Sequence, residues 1–82
     1  MSEKESTVYL METFTLEIAR KFSELLNLTV VKDILNVEDA LIDSLDMMGA
    51  HKRIFKRIRN ELKQKNDNEL SALLEQLRVH GQ

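Results

Sequence analysis

No proline occurs in these 82 residues, and glycine occurs only twice, at Gly49 and Gly81. Proline and glycine are the residues that interrupt helices and turn one short strand into the next. A sandwich or barrel of short strands needs such residues roughly every ten positions. A helical chain can do without them, so the fold expected here is all-α.

The apolar spacing agrees. Val8, Met11, Phe14, Ile18, Phe22 and Leu25 recur at steps of three and four and so share one helical face. A helix is expected over residues 6–26, with Asn27 as its stop. Leu10 and Leu16 lie off that stripe and imply a second contact surface. Thr29 is placed to cap a longer helix. From there Val30, Ile34, Val37, Leu41, Ser44, Met48, His51, Phe55, Ile58 and Leu62 alternate steps of four and three, the repeat of a long helix in a hairpin or coiled coil. Gly49 and the β-branched start weaken that helix, and Asn36–Glu38 is where it would break. Lys63 to Asn68 is polar and reads as a turn. Asn66 with Glu69 fits a cap and its reciprocal partner, opening a short helix faced by Leu70, Leu73, Leu74 and Leu77. The expectation is one domain over 1–82, frayed at 1–5 and 79–82. Its architecture is a small three- or four-helix bundle, or a long helical hairpin with flanking helices.

Several classes of function are excluded by what is missing. Without cysteine there are no disulfides, thiolate metal sites or thiol nucleophiles. No apolar run approaches the roughly 20 residues of a membrane span. The polar start Met1-Ser2-Glu3-Lys4-Glu5 lacks the basic-then-apolar pattern of a secretory signal, so a cytoplasmic location is expected. No glycine-rich phosphate loop or nucleophile–base–acid set stands out, so a non-enzymatic role is expected. His51 lies on the apolar stripe, with no second histidine or carboxylate at ligand spacing, and no metal is expected. A chain of this size buries only about 60–65% of its unfolded surface. Self-association, most simply a homodimer, or another protein partner would add burial.

The net charge of −2 conceals a strong asymmetry. Residues 1–50 carry four basic side chains against ten acidic ones, whereas residues 51–65 carry seven against one. On a helix, Ile54, Phe55, Ile58 and Leu62 face inward while Lys52, Arg53, Lys56, Arg57, Arg59 and Lys63 line the outside. Such a row can meet nucleic-acid phosphates, an acidic protein or an anionic membrane surface. It can equally be a solvated face paired with Glu24, Asp39, Asp43 or Asp46 of a neighbouring helix. The acidic cluster Glu38, Asp39, Asp43 and Asp46 has no glycine-centred loop and reads as an exposed face. Helix-mediated protein association is therefore the leading expectation. Met48, Phe55, Ile58 and Leu62 are its partner-binding residues, and the six basic residues set partner choice.

A different function is implied by Val37-Glu38-Asp39 followed by Asp43-Ser44-Leu45-Asp46. This stretch resembles the modification site of acyl carrier proteins, which attach phosphopantetheine to the serine of an Asp-Ser-Leu motif at the start of their second helix. The resemblance implies a cofactor arm on Ser44, with Asp43 positioning the transferase and metal. It covers about twelve residues. Leu41-Ile42 replaces the family's Leu-Gly, and the helix after the serine is basic where the family's is acidic.

Overall fold

The computed structural model describes residues 2–80, with side chains through Gln76. Met1, Gly81 and Gln82 lie outside the described residues, as do the side chains of Leu77, Arg78, Val79 and His80. The described residues form four α-helices and one 3-10 segment, with no strand among them. In order these are α1 (Glu5–Leu10), α2 (Leu16–Leu25), the 3-10 segment Val31–Asn36, α3 (Asp39–Asp43) and α4 (Gly49–His80). The all-α expectation holds, but its boundaries change.

The single helix expected over 6–26 is two. Residues 11–14 turn, and Thr15 caps α2 by accepting a hydrogen bond at Oγ1 from the Ile18 backbone N–H, at 3.3 Å. The break resets the helical phase, so Leu10 is buried while Val8 and Met11 are exposed. Ser6 and Thr7 of α1 meet Ser23 of α2 in a buried hydroxyl cluster. Thr7 Oγ1 donates to Ser23 Oγ at 2.8 Å, and the Ser6 and Ser23 hydroxyls lie 3.0 Å apart. Small side chains let the two helices approach, and each buried hydroxyl finds a partner.

Asn27 is the stop. Its φ of 54° is left-handed. Leu28 N–H donates back to the Ser23 carbonyl at 2.8 Å and Asn27 N–H to that of Glu24 at 3.3 Å. These are the paired bonds of a Schellman ending, which carries Leu28 into the core.

The long helix expected from Val30 to Leu62 is three elements. Asp33 accepts from the backbone N–H groups of Thr29 and Val30 at 2.8 and 3.0 Å, fixing the start of the 3-10 segment. Glu5 accepts from Val31 N–H at 2.9 Å and ties that start to α1. Ile34, Val37, Ile42 and Leu45 are all buried. They step by three, five and three, off the expected stripe whose Leu41, Ser44 and Met48 are exposed, and they reach the core from a 3-10 turn, an extended link, a short helix and a bend.

Helix α4 starts at Gly49 and runs 32 residues, about 48 Å at 1.5 Å per residue. It crosses the body through Phe55, Ile58 and the half-buried Leu62. The rings of Phe22 and Phe55 stack at 4.5 Å between centroids, and Phe14 lies 5.1 Å from Phe22. The turn expected over Lys63–Asn68 is helix. Nothing there stops propagation, since lysine and glutamine are good helix formers, asparagine and aspartate cost at most about 0.7 kcal/mol each, and no glycine or proline intervenes. Beyond Leu62, α4 projects from the body, and residues 63–76 are exposed. Among the described residues, no helix is long and apolar enough to cross a membrane.

Candidate functional site

The basic stretch and the acidic cluster face each other across the join between α3 and α4. Asp39 lies in the first turn of α3, and its Oδ1 stands 2.5 Å from Arg59 Nη2. Asp43, at the end of the same helix, pairs with Lys56 at 2.7 Å. Lys52 donates from Nζ to the Asp43 backbone carbonyl at 3.0 Å. One turn of α3 is thus held by three cationic side chains on successive turns of α4. The Arg59 guanidinium beside Asp39 holds that carboxyl below the usual carboxylate range. Backbone N–H donors do the same for Asp33.

These contacts divide the six basic residues. Arg59 is not on a solvated face. It is 8% exposed, and its Nη1 donates to the Val37 carbonyl at 2.8 Å while Nε and Nη2 donate to Asn60. Its work is to join α4 to the link between the 3-10 segment and α3. Lys52 and Lys56 are half-buried against Asp43. Arg53, Arg57 and Lys63 remain exposed, with Arg57 only 4.0 Å from the equally exposed Glu61 one turn on.

The four apolar residues expected to bind a partner divide as well. Phe55 is fully buried, Ile58 is buried, and Leu62 is half-buried against the same core. Phe55 and Ile58 are therefore core residues of the chain itself, unavailable to a partner. The helical stripe looked like a contact surface because the short elements that cover it cannot be seen in the periodicity of α4. Met48 differs. It is 65% exposed, on the bend that leads into α4. The Arg53 guanidinium reaches back to within 3.7 Å of where a Cβ on Gly49 would stand, beside Met48.

Ser44 is exposed and ends α3 instead of beginning a helix. Its hydroxyl donates to the Leu41 carbonyl at 2.6 Å, and the next helix begins five residues later, at Gly49. This placement differs from the helix-opening serine that the resemblance implied. His51 is half-buried with its ring edge-on to Phe14, centroids 5.8 Å apart. Among the described residues, no group of three or more His, Asp or Glu side chains gathers in a way that could hold a metal ion.

One concavity was not foreseen. A groove of about 280 Å³ opens between the 3-10 segment and α4 where α4 leaves the body. Val31, Leu35 and Leu62 form its apolar part, and Glu5, Lys32, Lys65, Asn66 and Glu69 complete its lining with both signs of charge. The spacing of Val31 and Leu35 carries the apolar signal, but not the break that turns them toward α4.

Comparison of the chain with protein-family models, curated proteins and solved structures finds no match.

Proposed function

We propose that the chain is a non-enzymatic regulatory or adaptor module acting by helix-mediated protein association. Its contact surface would be Met48 with the exposed arginines Arg53 and Arg57. The observation that carries this reading is the exposure of Met48 on a bend whose flanks are fixed. Asp43 on one side is gripped by Lys52 and Lys56 on the other. A pliable, polarizable thioether held outward adapts its shape to a partner, and methionine is favoured at contact surfaces for that reason. Arginine is likewise enriched among residues that dominate binding energy. The partner that suits this surface is an acidic patch on another protein, with Arg53 and Arg57 steering the encounter.

Support for nucleic-acid binding is thinner. Lys56 and Arg59 are already paired with Asp43 and Asp39, and Lys52 with a carbonyl. Three exposed basic residues remain on that helix stretch for phosphate contacts.

Affinity capture with Met48→Glu and Arg53→Glu variants tests the proposal, provided each melts like the parent chain. Both should lose the same bound proteins. Unchanged capture by both variants would sink it. Tight binding of a generic labelled oligonucleotide, weakening steeply with salt, would put the nucleic-acid reading in its place.

A further inference from the structure

The charges from Lys63 to Glu69 are antisymmetric about Asn66. The order is Lys63, Gln64, Lys65, Asn66, Asp67, Asn68, Glu69. Each lysine mirrors an acid at the same distance on the other side, and Leu62 mirrors Leu70. The whole heptapeptide is exposed, and its Lys65, Asn66 and Glu69 also line the groove beside the 3-10 segment. Lys63 and Asp67 stand one turn apart, as do Lys65 and Glu69. None of the four takes part in the ion pairs within 4.0 Å among the described residues.

Helical geometry turns this pattern into a surface. At about 100° per residue, Leu62, Leu70 and Leu73 fall within about 40° of Asn66, and the four form one face. Lys63 and Asp67 flank that face on one side, Lys65 and Glu69 on the other. Leu70 and Leu73 are 53% and 52% exposed.

We propose that α4 pairs with α4 of a second copy of this chain, antiparallel and two-fold symmetric about Asn66. In that arrangement Lys63 meets Asp67 of the second copy and Lys65 meets its Glu69, each pair occurring twice, while Asp67 and Lys65 each come equally near their own copies once, so attraction prevails four contacts to two. Leu62 comes level with Leu70 of the second copy. That leucine then enters the groove formed by Val31, Leu35 and Leu62, the apolar space of about 280 Å³ beside α4. A parallel pair would reverse that balance, setting Lys63 against Lys65 and Asp67 against Glu69 twice each with only the two Lys65–Asp67 contacts attractive. Asn66 sits on the axis opposite its own copy, where a polar pair fixes register at some loss of stability. The surface covered is on the order of 1,000 Å², the lower end for specific interfaces, so the dimer forms in the micromolar range or weaker. This pairing uses neither Met48 nor Arg53 and stands apart from the partner surface above.

Sedimentation of the full chain over micromolar to millimolar concentrations tests the pairing. The expected result is a monomer–dimer equilibrium. Lys63→Glu with Lys65→Glu should weaken it by about tenfold or more, as should Asp67→Lys with Glu69→Lys. Mixing those two double variants should restore the dimer as a mixed pair. Monomer at every concentration, or a dimer indifferent to both double variants, overturns the proposal. Orientation is read by oxidative cross-linking. Asn66→Cys should cross-link, whereas Leu73→Cys should not, because residue 73 lies about 21 Å along the axis from its copy in the antiparallel pair. Cross-linking at both positions marks a parallel pair and overturns the arrangement.

Discussion

Arg59 lies 2.5 Å from Asp39 while itself 8% exposed, so a residue of the basic stretch is an internal fastener. Its guanidinium also satisfies the Val37 carbonyl. Removing it leaves that buried acceptor without its charged donor, a loss of roughly 1.5–3 kcal/mol. Arg57, two residues earlier, pairs with the exposed Glu61 at 4.0 Å, and its removal changes stability by less than about 0.5 kcal/mol. Urea unfolding of Arg59→Ala and Arg57→Ala should therefore give clearly different midpoints. Equal midpoints would show that Arg59 is as dispensable as a surface residue.

Acid should destabilise the fold through Asp33 and Asp39. The carboxyls of both are held below their ordinary value, Asp33 by backbone N–H donors and Asp39 by Arg59. A carboxyl depressed in the folded state contributes its stability above the unfolded value, about 4. That contribution is lost as pH falls through the folded value. Melting temperature should be nearly level above about pH 5 and decline below about pH 4. Asp33→Asn and Asp39→Asn should each lower the plateau and flatten the decline. A decline of unchanged steepness in the double variant would assign acid sensitivity to other groups.

Asn27 holds a left-handed φ of 54° at the end of α2. Glycine enters that region without steric penalty, whereas a β-branched residue does not. Asn27→Gly should leave stability unchanged or raise it by up to about 1 kcal/mol, and Asn27→Val should lower it by about 1–2 kcal/mol. Thermal melting of both variants checks the order, and a reversed order would contradict the Schellman ending.

The fold class was legible because it depends on residues that are absent, proline above all. Asn27 was legible because few residues tolerate its backbone conformation. Pairing of the basic stretch with Asp39 and Asp43 was also among the readings the charge pattern allowed. The element boundaries were harder to read. Steps of three and four suggested one long helix, yet Leu41, Ser44 and Met48 of that stripe are exposed, and Ile42 and Leu45 join Ile34 and Val37 in the core from unlike elements. Thr15 carried a recognisable capping signal, hidden because Phe14 and Ile18 continued the stripe across it. The cap suggested by Asn66 and Glu69 failed for the opposite reason, since strong helix formers on either side let α4 run through. Burial of Arg59 had no local signal, because the Val37 carbonyl it serves lies 22 positions away.

Met48 and Phe55 stand seven residues apart in one apolar repeat and have opposite environments. Phe55 is enclosed and stacked on Phe22, while Met48 is 65% exposed. Phe55→Ala should cost about 3–5 kcal/mol, a large share of what a domain of this size possesses. Met48→Ala should stay within about 0.5 kcal/mol. Denaturant titration of both, read beside partner capture, separates the two roles. If Met48→Ala unfolds as readily as Phe55→Ala, its side chain belongs to the core and the proposed contact surface is lost. If Met48→Ala keeps its stability and loses its partner, exposure and function meet at that residue.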